Sequence, residues 1–399
     1  MSNRLKKTAQ FLGLNRSMGA MLVMVILLGM GEKMGERFLP IYLLAIGGSV
    51  YAVGFLNALD NFLSAIYSWI GGYVSDKVGY KKALMIYTAV SIVGYLIIIL
   101  FPSWQAVLVG AIFFISWTAL SLPAILSLVS STLKKEKQTM GVSVHSLIRR
   151  IPMALGPLFG GILIQMYGIL TGARIAFMVA LAFALLSLVF IYFFIEDRQE
   201  KSIPIVNVID TFKNMPSELR TLLASDILIR FAEQIPYAFV VVWIMQSNQQ
   251  SAVNFSVLTM IEMAVAMIIY IPVAYLSEKI SNKTIVSITF FFFTIFPLVL
   301  LFSTGMPMLI FAFVIRGLKE FGEPTRKALI VKLANEGSKA TTFGTYYLLR
   351  DIVVSIASLF SAYLWTLSPQ ANFLTASAFG LLGTVIFIVY GKDQRQPSL

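Results

Sequence analysis

The sequence has no cysteine and only one histidine, His145. The first absence excludes disulfides, iron–sulfur clusters and cysteine-held zinc, and leaves the redox compartment undefined. Charge is also scarce: 13% of the residues are Asp, Glu, Lys or Arg, against roughly 25% in soluble domains. No G-x-x-x-x-G-K-[ST] loop and no H-E-x-x-H helix occurs, so neither an ATP-driven pump nor a membrane metalloenzyme is expected. No metal and no cofactor is expected either.

What fills the chain is apolar. Of its 399 residues 58% are hydrophobic and the mean hydropathy is +0.83. A bilayer-crossing helix needs about 20 apolar residues. Twelve such stretches can be read, near 18–46, 51–74, 83–101, 104–133, 140–168, 172–195, 218–246, 253–278, 282–303, 306–335, 340–366 and 371–391. They are too long and too uniformly apolar for the alternating strands of an outer-membrane barrel. The fold class predicted is an all-α integral membrane protein of twelve transmembrane helices. The basic N-terminus leads into the first span without an evident cleavage site, so that span is expected to stay uncleaved.

The net charge is +12, a value that invites a nucleic-acid reading until the bases are placed on the topology. With the N-terminus inside, Arg4, Lys6, Lys7, Lys81, Lys82, Lys134, Lys135, Lys137, Lys201, Lys283, Lys332 and Lys392 fall on cytoplasmic loops or helix ends. The external loops hold only Arg174. This is the positive-inside pattern, and it reports orientation and contact with an anionic lipid bilayer. Nucleic acid is not an expected partner.

The chain repeats itself. Asp60 pairs with Glu262, and YVSDKVGYK (73–81) pairs with YLSEKISNK (275–283), 202 positions apart. At a spacing of 201, Pro123 pairs with Pro324, Ser143 with Gly344, His145 with Tyr346 and Arg149 with Arg350. Lys33 and Glu36 match Arg230 and Glu233 at a spacing of 197. Six spans in each copy make the repeats parallel, about an axis along the membrane normal. The expected domains are an N-terminal bundle over 1–195, a cytoplasmic linker over 196–217 and a C-terminal bundle over 218–399, with a central cleft between the halves. The linker's apolar spacing (Ile203, Val206, Ile209, Phe212) suits an interfacial helix.

Between the second and third spans the chain reads GGYVSDKVGYKKAL. Gly72, Asp76, Lys77, Gly79, Lys81 and Lys82 resemble the G-x-x-x-D-[RK]-x-G-[RK]-[RK] signature of the major facilitator superfamily, with Tyr80 where a base is usual. The resemblance implies an MFS fold of two pseudo-symmetric six-helix halves, alternating access, and a gating role for these six residues. Glycines there allow a tight turn and close helix approach, and the acid can meet the positive end of a helix. On the fifth span GPLFGG, with Gly156, Pro157, Gly160 and Gly161, resembles the end of a motif of drug:proton antiporters. The same residues also read as a packing surface. Glu36, Arg37 and Phe38, with Tyr42, resemble the helix-1 signature of proton-coupled oligopeptide transporters.

Within the spans lie nine acids (Glu32, Glu36, Asp60, Asp226, Glu233, Glu262, Glu320, Glu323, Asp351) and eight bases (Lys33, Arg37, Arg149, Arg150, Arg230, Arg316, Lys319, Arg350). A lipid-facing charge at the bilayer centre costs about 2.5–3.5 kcal/mol even on mild scales, so these must face one another or water. Helical spacing predicts the pairs Lys33–Glu36, Arg316–Glu320, Lys319–Glu323 and Asp226–Arg230–Glu233.

Asp60 and Glu262 lack a base within four residues and lead the proton-site candidates, followed by Glu36, Glu233, Glu320 and Glu323. Arg37, Arg149, Arg230, Arg316, Arg350, Lys33 and Tyr346 are the candidates for a small-molecule substrate, since guanidinium forks suit carboxylate and phosphate. Gly322 and Pro324 predict a bend beside Glu323.

The function expected is proton-coupled secondary transport of a small polar, charged or amphiphilic solute across the inner membrane by a monomer with cytoplasmic termini. The reading leans to efflux by antiport. Proton-driven uptake of an anionic or zwitterionic metabolite is the alternative, and a non-transporting receptor or scramblase a remote one.

Overall fold

The computed structural model describes residues 16–115, 117–132, 145, 148–196, 208–277, 279–334 and 339–392, which form helices and no strand. In chain order these are α1 (Arg16–Glu36), α2 (Leu39–Ala45), α3 (Val50–Val78), α4 (Tyr80–Leu100), α5 (Trp104–Phe114), α6 (Trp117–Thr132), α7 (Arg150–Phe194), α8 (Val208–Lys213), α9 (Ser217–Val242), α10 (Ala252–Ser277), α11 (Asn282–Phe302), α12 (Gly305–Leu318), α13 (Glu323–Leu333), α14 (Lys339–Leu367) and α15 (Pro369–Tyr390). Among the described residues nine helices are long and apolar enough to cross a membrane.

The punctuation between helices follows local chemistry. Ser103, Ser281 and Ser368 accept from the amides of Ala106, Thr284 and Ala371, capping α5, α11 and α15. Gly79 takes φ 85°, outside the reach of ordinary L-residues, and starts α4 directly behind α3. Within α7, Gly168 at φ 77° reverses the chain, and Gly172 packs on Leu163 and Ile164. The two sequence spans 140–168 and 172–195 are therefore joined by the tightest of links. Large apolar side chains such as Phe159, Met166, Leu185, Phe291, Leu359 and Leu381 stand exposed along the spans, as suits helices bathed in hydrocarbon.

Two compact units are distinguished. Unit 1 is Met1–Ser49 with Leu63–Pro204, and unit 2 is Val50–Phe62 with Ile205–Leu399. In unit 1, α1 lies against α7 through small residues. A Cβ on Gly156 would come within 2.7 Å of the Lys33 Cβ, and one on Gly160 would overlap the Met34 carbonyl. Tyr42, Tyr95, Phe114 and Phe177 close the aromatic core beside this seam. Unit 2 packs α9 against α11, α14 and α15, with Phe239, Trp243, Trp365 and Phe373 as its aromatic cluster. The start of α3 belongs with unit 2: Asn57 donates to the Gln234 carbonyl at 3.0 Å, and Asn61 to Ser358 Oγ at 3.1 Å.

The predicted bend is a full break. Residues 319–322 form turns between α12 and α13, and Gly322 donates its N–H to Thr289 Oγ1 of α11 at 2.5 Å. Of the expected linker helix, α8 is described, with Ile209 and Phe212 exposed; 197–207 lie outside the described residues, as does Glu278 of the second motif copy.

Candidate functional site

The charged residues of unit 2 form one connected chain. Asp226 on α9, 1% exposed, receives Arg326 from α13, Tyr346 Oη at 3.0 Å and Arg350 Nη1 at 3.5 Å, both from α14. Arg326, also 1% exposed, donates its second nitrogen to Glu323 at 2.6 Å. Arg230 Nη2 stands 3.6 Å from Glu323, and its Nη1 donates to Glu233 at 2.5 Å. Lys319 Nζ donates to Glu233 at 2.6 Å and lies 3.6 Å from Glu262 Oε1, which Arg316 Nε reaches at 3.2 Å. Arg350 also holds Asp351 at 2.7 Å. Five acids and five bases thus alternate through these contacts and are neutral in sum, with half-exposed Lys327 a further base on Glu323 at the outer edge.

Aromatic rings wall the α12 end. Arg316 sits 5.3 Å from the Phe296 and Phe313 ring centres and 5.8 Å from that of Tyr237, and Lys319 lies 5.6 Å from Phe293. A small cavity there is lined by Glu233, Tyr237, Val240, Phe293, Phe296, Arg316 and Lys319. Gly317 makes this possible: a Cβ on it would meet the Glu262 carbonyl at 2.7 Å, so α12 comes close enough for its flanking bases to reach the carboxyl.

Unit 1 holds a smaller cluster. Lys33 pairs with Glu36 one turn on and with Glu32 at 3.0 Å, while Thr118 of α6 donates to Glu32 at 3.1 Å. A second cavity here is lined in part by Lys33, Thr118, His145 and Arg149. Arg37 follows α1 in the turn to α2.

Several sequence expectations shift. Lys319 does not pair with Glu323, because the turns at 319–322 interrupt the helical spacing between them; Lys319 turns to Glu233 and Glu323 to Arg326. Arg316 reaches Glu262 on α10. Glu262, lacking a base on its own helix, has two: Arg316 at the end of α12 and Lys319 in the turn after it. Asp60 is half-buried on the part of α3 that belongs with unit 2. Glu320 sits in the break itself. Tyr346 is fully buried against Asp226, away from both cavities.

In the loop motif Gly79 makes the tight turn, but the glycine at the helix contact is Gly71, whose Cβ would overlap the Leu120 carbonyl; a Cβ on Gly72 would have 3.9 Å to Pro123. Lys81 donates to the Tyr192 carbonyl at 2.8 Å, while Lys77 and Lys82 are exposed and Asp76 is half-buried. Gly156 and Gly160 are contact residues of the α1 seam, and Pro157 and Gly161 are buried within α7. Sequence reasoning missed Arg326. Its signals were an i,i+3 acid, Glu323, and a place inside the tenth apolar stretch.

Helices of this length and apolarity, enclosing a buried charge network, define a multi-pass membrane protein. The profile of the Major Facilitator Superfamily matches residues 13–219 and again 222–399, and the chain belongs to that family. An uncharacterized MFS-type transporter of Methanocaldococcus jannaschii is 24% identical over 380 residues, covering 90% of this chain and 91% of the relative.

Among solved structures, a POT family transporter in complex with 5-aminolevulinic acid superposes with a TM-score of 0.77 at 14% identity, over 94% of this chain and 96% of the other. The nucleoside transporter NupG gives 0.79 at 10% identity, over 95% and 100%. A human organic anion transporter gives 0.64 at 16% identity, over 93% and 99%. At these identities the structures speak for the fold alone.

Proposed function

We propose that the chain is a proton-coupled secondary transporter of a small anionic or zwitterionic organic solute. The observation that carries this reading is Glu262, 2% exposed and held by Arg316 and Lys319 beside the aromatic-walled cavity. A solute carboxylate entering there competes with Glu262 and Glu233 for the same two cations. The displaced carboxyl, left in a low-dielectric setting without its base, takes up a proton. Because the network is balanced, proton and anion binding together leave its charge unchanged, whereas either alone does not.

That balance favours the two moving in the same direction. Of the α7 glycines, which in sequence lean the reading toward efflux by antiport, Gly156 and Gly160 are accounted for by their contacts on α1 and carry no weight on direction. Two of the three structural neighbours agree with this chemistry: 5-aminolevulinic acid bears a carboxylate and an amine, and the human neighbour carries organic anions, whereas NupG is a nucleoside transporter. In this reading the protein sits in the inner membrane with cytoplasmic termini and works as a monomer driven by the proton gradient.

The test is flux into liposomes under an imposed pH gradient, across a panel of amino acids, short peptides, carboxylates and organic phosphates. Solute should accumulate with the proton, and Glu262→Gln and Glu233→Gln should abolish the gradient's effect. Accumulation against the proton would make the protein an antiporter. Flux indifferent to the gradient and to both variants would sink the coupling mechanism.

A further inference from the structure

Three cross-pairs tie α9 to the segment 319–326: Lys319 with Glu233, Glu323 with Arg230, and Arg326 with Asp226. The two chains of residues run in opposite directions and the sign alternates along each. A slide of one helical turn would therefore set Lys319 against Arg230 and Glu323 against Asp226, like on like, which disfavours both charged forms. Such a ladder needs residues 319, 323 and 326 on one face. A regular helix supplies that face, but this segment is interrupted. Glu320, Phe321 and Glu323 each donate to the carbonyl three residues back, at 3.2, 2.9 and 3.3 Å, a winding of about 3.0 residues per turn instead of 3.6. Pro324 has no N–H to return to Glu320. The phase between α12 and α13 is thus held from outside. The buried Gly322 gives its N–H to Thr289 Oγ1 of α11 at 2.5 Å, while its carbonyl accepts from the Arg326 N–H at 2.8 Å. Thr289 is 1% exposed and donates its own proton to the Ile285 carbonyl at 3.2 Å, which turns the lone pairs of its oxygen toward Gly322.

We infer that Thr289 is a positioning residue for the coupling site: by holding Gly322 it sets the turn between α12 and α13, and so keeps Lys319 on Glu233 and Glu262 while Arg326 stays on Asp226. This rests on the coupling role given above to Glu262 and Glu233, and Thr289 acts on them through the backbone of Gly322 alone. Loss of the hydroxyl leaves a buried N–H unsatisfied, and the segment relieves it by turning. Lys319 on one side of the junction and Arg326 on the other then cannot both keep their rungs.

The test uses spin labels, which a chain without cysteine takes only where one is introduced. Ala224 of α9 and Ala328 of α13 are both exposed. Ala224→Cys and Ala328→Cys, labelled together in the full chain in detergent, report the distance between these helices by double electron–electron resonance. Thr289→Val keeps the shape and loses the oxygen, and should shift or broaden the distance distribution. Thr289→Ser keeps the oxygen and should restore it. The thermal unfolding midpoint should also fall less on Thr289→Val when Lys319→Met is already present, because residues that act through one another are not additive. Should Thr289→Val fail to fold, Gly322→Ala takes its place, since a Cβ there would stand 2.5 Å from the same hydroxyl oxygen. A distribution unmoved by loss of the contact, one moved alike by valine and serine, or midpoint losses that simply add, overturns the inference. No solute and no gradient enter, so such a result leaves the flux test of Glu262 and Glu233 standing, and a failure of that flux test leaves the distance measurement intact.

Discussion

Lys33–Glu36 in unit 1 and Arg230–Glu233 in unit 2 occupy matching places in the repeat and make the same i,i+3 ion pair, yet what surrounds them differs. In unit 2 the pair is one link in a network that runs to α10, α12, α13 and α14. In unit 1 the contacts of Lys33 include Glu32, which Thr118 also holds. The reason lies in the facing segment. At a spacing of 201, the positions of Arg316, Lys319, Glu323 and Arg326 are held in unit 1 by Ile115, Thr118, Leu122 and Ile125. Thr118 and Lys319 even do parallel work, donating to Glu32 of α1 and to Glu233 of α9. The segment facing the first span is thus charged in one half, whereas in the other the matching positions are uncharged.

The largest test of this contrast is at Arg326. Arg326→Met takes from Asp226 and Glu323 the base they share, leaving Asp226 to Arg350 and Glu323 to Arg230 and Lys327, and breaking a buried pair from one side costs about 3–5 kcal/mol; the unfolding midpoint in detergent should fall steeply or the protein fail to accumulate. Adding Asp226→Asn should recover part of the loss, because the penalty is the unpaired charge more than the missing contact. Ile125→Met, at the matching position of unit 1, is a volume-conserving change expected to cost under about 1.5 kcal/mol. Equal losses at the two positions would mean that the network is no more than packing.

Sequence alone disclosed the architecture, because hydrocarbon imposes a length and an apolarity on each crossing helix that few other constraints imitate. The pairs Lys33–Glu36 and Arg230–Glu233 followed from helical spacing. Spacing failed at Lys319 and Glu323. Their i,i+4 separation presumes a continuous helix, and Gly322, capped by Thr289 of α11, interrupts it. The bend was readable from Gly322 and Pro324, but the rotation it gives α13, which swings Arg326 onto Asp226, depends on packing between distant segments. Gly71 rather than Gly72 touching α6 is a similar case: neighbours on a helix point about 100° apart, and composition does not say which one faces the partner.

A middle-sized effect separates the ways in which the two units hold their first helices. Gly160 lies against the Met34 backbone, while Ser361, its counterpart at the same spacing, donates to the Ile235 carbonyl of α9. Gly160→Ala should cost about 1–3 kcal/mol by overpacking, and Ser361→Ala about 1 kcal/mol by loss of an interhelical hydrogen bond. Gly72→Ala, with open space, should stay within about 0.5 kcal/mol. Denaturation midpoints of the three variants in one detergent would rank them; a harmful Gly72→Ala would return that glycine to the contact role that Gly71 now holds.

The smallest effect belongs to the network's outer edge. Lys327 is half exposed and reaches Glu323 Oε1 at 3.3 Å, but the other oxygen of that carboxylate already takes Arg326 from within and lies 3.6 Å from Arg230. An exposed ion pair contributes about 0–1 kcal/mol and is screened by salt, so Lys327→Ala should change the midpoint by less than about 0.5 kcal/mol, and added salt should erase even that. The buried members, cut off from counterions, should be indifferent to the same salt. If Lys327→Ala instead loosened the protein as Arg326→Met does, Glu323 would depend on its solvent-side partner. The charge network of unit 2 would then be a surface feature, and the contrast with unit 1 would lose its basis.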